Sequence, residues 1–453
     1  MLEIDKNTST KDVRIEELKI IGSSGNTIAL NFDFDIINIH EDLFAPVISG
    51  SMQITDSTGK FAKLDLHGNE YLIISFTRPG VDDPDAKYTK SFRIYKCSDR
   101  RPHPMNQASR YTLHFCSEEL MFSNQVTISR KLQGASAGMY ALKICREDLK
   151  INRKKLTPSN FERTSGATEF ILTQYKPLEA IDYLASRTYN ENESTFWFFE
   201  NKDGFNFMSI EKMVNRDSLM TLKYNKAKKT KDQRDTAYAN FDDMADFNFV
   251  KSFDTLENSL RTAHNGRLFT LDLITQEYKK IDYSYFNKFN KNLLMDKDGA
   301  FPFNDATNRN DKSLYEEHGT EVNYWLTNKD NNNLDYFKSK KFFSMDTNVE
   351  RTMLQRKAQI NMLRNTEIDI IVPGNAALTV GKMIEIEMPA FTQEDPNNRS
   401  LDPYYSGRYL ITAVTHVIAG KTLQTKLRVA KNSIKEKFNP AVHDEQSKIA
   451  KSY

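Results

Sequence analysis

Hydrophobic and polar residues alternate along much of this chain with the period of two that is typical of β-strands. Near the start, one face of such a strand collects the apolar side chains Ile28, Leu30, Phe32, Phe34 and Ile36. The opposite face carries Asn31, Asp33 and Asp35. Much later, Phe247 and Phe249 are opposed by Asp246 and Asn248 in the same way. Each pattern predicts a strand with one buried and one polar face.

The two stretches share more than their alternation. Asn31–Asp56 (NFDFDIINIHEDLFAPVISGSMQITD) and Asp246–Asp272 (DFNFVKSFDTLENSLRTAHNGRLFTLD) have the same order of side chains. The matched pairs are Phe32 with Phe247, Phe34 with Phe249, Leu43 with Leu260, Gly50 with Gly266 and Asp56 with Asp272. This ordered string predicts a duplicated module.

The segments after the two copies also correspond. Three β-rich runs come after the first copy: Tyr71 to Phe76, Ser91 to Cys97 and Tyr111 to Cys116. Three more come after the second copy: Met383 to Met388, Arg408 to Val417 and Leu423 to Val429, the last two joined at Gly420 and Lys421. Each module therefore has five or six short antiparallel strands, enough to form a small barrel or sandwich.

The material between the copies has a different pattern. Leu132 to Lys150 and Lys176 to Thr188 are predicted helices, and Thr195 to Glu200 with Phe205 to Ile210 forms a predicted hairpin around the turn sequence NKDG. We therefore predict a separate α+β unit. A further helix is predicted from Asn348 to Arg364, with Val349, Met353, Ile360 and Leu363 on its buried side.

Two polar segments are predicted to be loops. Lys223 to Arg234 is basic, and Phe286 to Asp346 is rich in Asn, Asp and Lys. A basic run can bind nucleic acid, but the 63 basic and 61 acidic residues nearly cancel, which favours a solvated linker. The length of the Asn-rich segment is typical of an insertion that is either disordered or in contact with a neighbour.

Composition indicates a large β-rich protein with about three domains. The polar start lacks the apolar core of a signal peptide and no apolar run is long enough to span a bilayer, so we expect synthesis in the cytoplasm and no membrane anchoring. Three cysteines, at spacing unlike that of metal ligands, are expected to be reduced.

Catalytic motifs are scarce. The chain contains no GxSxG, HExxH, Walker or GxGxxG sequence, and its eight histidines are scattered. Asp296, Asp298 and Gly299 resemble the opening of a calcium loop, but the later bidentate acid is missing, which favours a turn. Glu316, Glu317 and His318 lie together in a polar loop without a pocket-forming context. We therefore expect a protein that is not an enzyme and has no catalytic residue, cofactor or metal.

Three segments resemble a known family. The string LFAPVISGSMQITDSTG (Leu43 to Gly59), the run PGNAALTVGKMIEIEMPA (Pro373 to Ala390), and YYSGRYLITAVTH (Tyr404 to His416) followed by LRVAKNSI are similar to the baseplate hub proteins of contractile-tailed phages. Those proteins share their body with the spike of type VI secretion systems. The resemblance covers most of the chain and is weakest over residues 286–346.

The resemblance implies a mainly β fold with α+β insertions, in which two tandem tail-tube-like antiparallel β-barrels flank an α+β domain. The corresponding domains are residues 1–130 (first barrel), 131–240 (α+β), 241–285 with 347–435 (second barrel), 286–346 (insertion) and 436–453 (C-terminal tail). It also implies that three chains form a ring of six similar barrels, which removes the mismatch between a sixfold tube and a threefold spike.

The resemblance further implies the function of a structural virion component. The chain would form a homotrimer in the tail baseplate, hold the central spike protein, contact the tail tube or distal tube protein and surrounding baseplate proteins, and leave a channel for DNA in transit. Candidates for lumen or inter-barrel surfaces are Asn31, Asp33, Asp35, Asp246 and Asn248, with ordinary solvation as the alternative. Two other functions remain open: the body of a type VI secretion-like spike, and a tail-associated cell-wall hydrolase.

Overall fold

The computed structural model describes residues 12–30, 33–57, 59, 66–79, 86–102, 109–165, 168–190, 193–224, 243–252, 265–272, 276–285, 294–296, 299–300, 322–327, 349–390 and 401–436. These residues are mainly in strands, as the sequence predicts.

The first third of the chain is built from strands that run along one sheet. They are β1 (Arg14–Ile21), β2 (Thr27–Ala29), β3 (Phe34–Asp42), β4 (Ser49–Asp56), β5 (Tyr71–Thr77), β6 (Tyr88–Pro102) and β7 (Ser109–Cys116). Inward-facing residues of these strands, among them Ile37, Met52 and Phe115, form one continuous apolar core.

The middle unit comes next, as α1 (Glu118–Ser123), β8 (Ile128–Ala135), α2 (Ala137–Glu147), β9 (Thr168–Tyr175), α3 (Pro177–Arg187), β10 (Phe196–Asn201), β11 (Gly204–Ser209) and α4 (Ile210–Val214). The pairs β8–β9 and β10–β11 form two separate two-stranded sheets. The aromatic hairpin and the helix over residues 176–188 are confirmed. The predicted helix from Leu132 is only partly right, because its first residues belong to β8 and the helix begins at Ala137.

The remaining elements are β12 (Ser218–Lys223), β13 (Asp246–Lys251), β14 (Asn265–Asp272), β15 (Tyr278–Ser284), β16 (Val322–Thr327), α5 (Val349–Leu363), β17 (Thr366–Pro373), β18 (Met383–Glu387), β19 (Gly407–Ala419) and β20 (Thr422–Lys431). Strands β15, β14 and β16 form a sheet of their own in that order. All other strands outside the two-stranded sheets join the strands of the first third in one main sheet.

The main sheet contains the same arrangement of six strands twice. In the first set the spatial order is β3-β4-β7-β6-β5-β1, and in the second it is β13-β17-β20-β19-β18-β12. One pairing differs, because β1 is antiparallel to β5 whereas β12 is parallel to β18. We call these sets the first and second modules.

Even an irregularity repeats. The long strand β6 pairs with β5 through its first residues and with β7 from Arg93 onward, and a bulge lies between Ile94 and Lys96. In the second module β19 pairs with β18 up to Leu410 and, on its other edge, with β20 from Leu410 onward, and its bulge lies between Ile411 and Ala413. A bulge at the same place after the same change of partner is a feature that unrelated sheets have no reason to share.

Three expectations need correction. The matches of Gly50 with Gly266 and of Asp56 with Asp272 are wrong, because Asn265–Asp272 is β14 in the separate sheet and the counterpart of β4 is Thr366–Pro373. Phe247 and Phe249 correspond by register to Ile37 and Ile39 and not to Phe32 and Phe34, and Leu260 lies outside the described residues. Ile36 does not share the buried face of Phe34, because a bulge between them turns Ile36 outward. Finally, the described strands of the main sheet do not close into two barrels: the edge of β3 that would close the first module pairs with β19 instead.

Candidate assembly surface

The two modules are joined strand to strand. The second half of β19, from Ala413 to Ala419, pairs antiparallel with β3 from Asp42 to Ile36. The first residues of β19 use the same edge to pair with β18. One long strand therefore belongs to the second module at its start and bridges to the first module at its end.

This junction creates one outward face that runs across both modules, which we call the joined face. Cross-strand neighbours share a face of a sheet, so the register identifies its members. They are Asp246, Asn248, Asp369, Ile371, Gln424, Lys426, Arg428, Ala413, Thr415, Val417, Asn38, His40, Asp42, Ser49, Ser51, Gln53, Thr55, Arg110, Thr112 and His114.

Small and uncharged side chains dominate the centre of the joined face, where the modules meet. His40 Nδ1 lies 3.0 Å from Thr415 Oγ1 across the junction, and Asn38 donates to Ser51 Oγ at 3.4 Å. Desolvation lowers the pKa of His40, which favours a neutral ring at the junction. The polar groups at the centre are thus largely satisfied by one another.

Two arginines of the joined face, Arg428 and Arg110, are paired with acids. Arg428 makes a bidentate contact with Asp369, at 2.8 and 2.9 Å. Arg110 contacts Asp35 at 3.2 Å and donates to Gln53 at 2.6 Å. In each module this arginine lies on the third strand of the spatial order, which is β7 in the first module and β20 in the second. The same register adds Lys96 and Arg101 of β6 to this face, and Lys426 is exposed on it. The joined face therefore has charges of both signs, and its cations include these three residues besides the two paired arginines.

The sequence-predicted surface residues fall mostly on this face. Asp35 reaches it from the bulge in β3 and accepts a hydrogen bond from Thr55 Oγ1 at 2.8 Å. Asp246 and Asn248 lie on it at the far end, on β13, and both are exposed. Asp33 is half-buried just before β3, where its backbone carbonyl accepts from Thr55 N at 3.1 Å. Asn31 lies outside the described residues.

Two strand edges correspond to the pair of edges that meet at the internal junction. Among the described residues, β13 pairs only with β17, and the end of β6, from Lys96 to Pro102, pairs only with β7. That end of β6 corresponds to the part of β19 that pairs with β3. It carries the exposed Arg100 and Arg101, whereas β13 carries the exposed Asp246. β13 also carries Lys251 and the end of β6 also carries Asp99, so the charges are opposite between the Asp246 end of β13 and the Arg100–Arg101 end of β6.

Buried polar groups hold the two modules together. Glu41 faces inward from β3, and its Oε2 accepts hydrogen bonds from Thr379 Oγ1 and, at 3.3 Å, from Val380 N. Its Oε1 is buried and accepts no hydrogen bond from any described residue. Burial raises the pKa of Glu41 to about 7, despite the opposing effects of Thr379 and Lys90.

Glu200, on β10 of the middle unit, is the centre of a second buried contact. Lys90 Nζ lies 2.7 Å from its Oε1 and also donates to Asn201 O at 2.7 Å. Its Oε2 accepts from Ile48 N at 3.1 Å and from Ser117 Oγ. Burial alone would raise the pKa of Glu200, but Lys90 and Lys155 hold it below its ordinary value. The carboxylate is thus charged and ties the middle unit to the first module.

These buried residues were not found by sequence reasoning, although a signal exists. Glu41 comes after Ile37 and Ile39 at alternate positions, so it falls on the apolar face of its strand. Glu200 comes directly after an aromatic run. An acid at an apolar position of a strand predicts a buried partner, although the sequence does not say which residue that partner is.

The described part of the calcium-like segment consists of Asp296 and Gly299, and Asp298 lies outside the described residues. Gly299 N donates to Asp296 O at 3.1 Å, and the Asp296 carboxylate is buried against Lys431 at 2.8 Å. Within the described ranges there is no group of three acidic, histidine or cysteine side chains placed to hold a metal. None of the helices described is long and apolar enough to cross a bilayer. Glu316, Glu317 and His318 lie outside the described residues.

Comparison with known proteins gives matches in structure only. No protein-family model matches the chain, and no curated protein matches it. The fold is similar to a tail protein from Neisseria meningitidis MC58, with 10% identity over 92% of this chain and 97% of that one and a TM-score of 0.48. It is also similar to the 43 kDa tail protein of prophage MuSo2 from Shewanella oneidensis, with 9% identity over 92% and 99% and a TM-score of 0.49.

A third similar structure is the E. coli c3393 protein, described as a component of the type VI secretion system with structural similarity to the T4 tail proteins gp27 and gp5. It is 9% identical over 95% of this chain and 79% of that one, with a TM-score of 0.42. These structural neighbours are thus two tail proteins and a type VI secretion component. Because all three TM-scores are below 0.5, we base the functional proposal on this chain's own strands.

Proposed function

We propose that this chain is the structural hub of a phage tail baseplate. Three copies form a ring of six similar modules, which joins a sixfold tail tube to a threefold central spike and leaves a channel for DNA. The observation that carries the proposal is the repeated order of six strands, including the repeated bulge, in one continuous sheet. Two equivalent modules per chain allow a threefold assembly to present six near-equivalent surfaces.

The junction inside the chain supplies the geometry for the junction between chains. Asn38 pairs with Val417 at the internal junction. When the cross-strand pairs are followed through each module, Asn248 takes the position of Asn38 and Arg101 takes the position of Val417. The same contact, repeated between copies, places Asn248 of one copy opposite Arg101 of the next. Likewise, the pairing of His40 with Thr415 predicts that of Lys251 with Ser98.

Closing the ring in this way also covers the edges of β13 and of the end of β6. An unpaired strand edge is a site for unwanted association, and in a closed ring each β13 edge is covered by the next β6 edge. The pairing is antiparallel, like that of β3 with β19. Asp246 then lies diagonally across from Arg101, within reach of its long side chain.

In the ring, the joined face lines the channel. The small centre and the pairing of Arg110 and Arg428 with acids reduce the number of cations that hold phosphates, which favours movement of DNA past this face. The exposed cations Lys96, Arg101 and Lys426 remain on it. Asp35 contributes by neutralising Arg110, which is 3.2 Å from it.

The partners in this proposal are the spike protein, the tail tube or distal tube protein and the surrounding baseplate proteins. The middle unit, fixed to the first module through Glu200, lies beside the ring and is available to contact them. The role is structural and not enzymatic, with the virion tail as its location.

The test is the mass of the purified protein in solution, alone and with its candidate spike protein. We expect a particle of three times the 52.4 kDa of one chain, either alone or once the spike is added. A protein that stays monomeric at every concentration and with the spike present would contradict the proposal. Clearing of a peptidoglycan suspension by the purified chain would favour a cell-wall hydrolase instead.

A further inference from the structure

The separate three-stranded sheet packs on α5 through one face only. On that face, Leu268 and Tyr283 are buried against Leu354 and Met362. Contact is so close at Gly266 that a β-carbon there would lie 2.7 Å from Leu354 Cδ2. The sheet is therefore firmly seated on the helix, and its other face points outward.

An aromatic ladder crosses the outward face. Phe269 on the central strand stacks with Tyr278 of β15 and with Tyr324 of β16, at centroid distances of 5.4 Å and interplanar angles of 17° and 22°. Among the described residues Tyr324 ends the ladder, and it is 74% exposed. A stack that ends in so exposed a ring offers its last face to a further aromatic side chain.

Strand β16 is an edge without the usual protection. Among the described residues it pairs only with β14, and its sequence, VNYWLT, contains neither charge nor proline. The opposite edge strand, β15, carries Lys279 and Lys280. Charged residues are the common means of blunting an edge, so the two edges of this sheet differ in their readiness to accept another strand.

A cavity of about 400 Å³ lies on the inner side of β16. Among the described residues, Trp325 is the one member of the sheet that lines it, and the other walls come from the end of α3 and from α5. The cavity is therefore beside β16, where a fourth strand would place an inward side chain. Met353 and Ile360, predicted to be core residues, are half-buried and line this space.

The charge of the cavity restricts what enters it. Arg187, Arg356 and Lys357 are among its described lining residues, and no acidic residue is. Arg187 lies over the Trp325 ring at 4.7 Å. An inward side chain that is apolar or acidic fits this lining, whereas a cationic one is repelled.

We propose that β16 accepts an extended segment of a partner protein as a fourth strand. The segment alternates: aromatic side chains face outward and continue the ladder from Tyr324, while apolar and acidic side chains face inward toward Trp325 and Arg187. Strand addition of this kind takes affinity from main-chain hydrogen bonds and specificity from pockets for alternate side chains. A second copy's β15 is a poor occupant, because its inward face carries Lys279. The proposal does not depend on ring formation.

The test uses the full-length chain and a synthetic peptide. The chain has two tryptophans, so Trp197→Phe leaves Trp325 as the only one, and its fluorescence reports on the cavity. The probe is a blocked peptide, Thr-Tyr-Leu-Tyr-Glu-Tyr-Thr. Controls are the same peptide with Lys in place of Glu, and a scrambled peptide in which the alternation is lost.

We expect a saturable change in Trp325 emission with the probe. The Lys peptide is expected to bind about tenfold more weakly, and the scrambled peptide is expected not to bind. In the protein, Arg187→Glu and Tyr324→Ala each weaken binding by about tenfold, whereas Tyr95→Ala, an exposed tyrosine on β6, leaves it unchanged. No saturable change up to about 1 mM peptide overturns the proposal. Equal binding of the Glu and Lys peptides also overturns it. Neither result alters the mass of the ring, which tests the proposed function separately.

Discussion

The predicted contact between copies can be broken and restored by exchanging charges. In the ring, Asp246 of one copy lies diagonally across from Arg101 of the next. Asp246→Arg places two cations at each contact and Arg101→Asp places two anions there. The double variant, with both changes, restores opposite charges in exchanged positions. Both residues are exposed in the single chain, so neither change disturbs its core.

The size of the effect depends on the exposure of the pair. An exposed ion pair contributes up to about 1 kcal/mol, and the repulsion that replaces it is of similar size, so each contact loses about 2 kcal/mol. A closed ring of three copies has three such contacts, so it loses about 6 kcal/mol, or roughly four orders of magnitude in the trimer dissociation constant. The loss is smaller at high salt, because mobile ions screen exposed charges.

Sedimentation velocity over a range of protein concentrations measures this shift. We expect each single variant to dissociate at concentrations where the unmodified protein is trimeric, and the double variant to recover most of the trimer. Glu179→Arg, a reversal of an exposed acid on α3, serves as the matched control and leaves the ring intact. Single variants that assemble like the unmodified protein, or a double variant no better than either single one, would refute the predicted register.

Three further predictions concern the buried acids and the channel. The folded chain binds the proton of Glu41 more tightly than the unfolded chain, with a pKa of about 7 against 4.5, so stability falls as pH rises from 4.5 to about 7 and is flat above. We therefore expect Glu41→Gln to raise the free energy of unfolding, measured with denaturant, by up to about 3 kcal/mol at pH 8 and to leave it unchanged at pH 4.5. An equal effect at both pH values would contradict this. Lys90→Met leaves the Glu200 carboxylate buried without its cation, so we expect it to lower the free energy of unfolding by about 3–5 kcal/mol in the same assay. The double variant Lys90→Met with Glu200→Gln is expected to recover a large part of this loss. Asp35→Lys adds a cation to the channel and removes the partner of Arg110, so we expect it to slow DNA ejection from particles that carry it. Unchanged ejection would count against the joined face as channel lining.

The sequence predicted the modules better than their boundaries. The runs that became β5, β6 and β7 were matched correctly with those that became β18, β19 and β20, because alternation and turn residues are local signals. The counterpart of β4 was misplaced at β14, since Gly266 and Asp272 reproduce a local pattern while the true counterpart, β17, comes after a long insertion. Local pattern does not reveal which strands pair.

The candidate surface was predicted in part. Asp35, Asp246 and Asn248 were selected as polar faces of single strands, and the register places them on one face of one sheet. The bulge that turns Ile36 outward and the partners of Glu41 and Glu200 depend on contacts across long stretches of chain. Such contacts arise from the tertiary arrangement and have no local signature.

The most direct test of the central claim is a cryo-electron microscopy reconstruction of the assembled particle. We predict a threefold ring in which six similar modules alternate, with β13 of each copy antiparallel to the end of β6 of the next and Asn248 opposite Arg101. A particle in which modules of the same kind meet, or in which these two edges lie apart, would contradict the account.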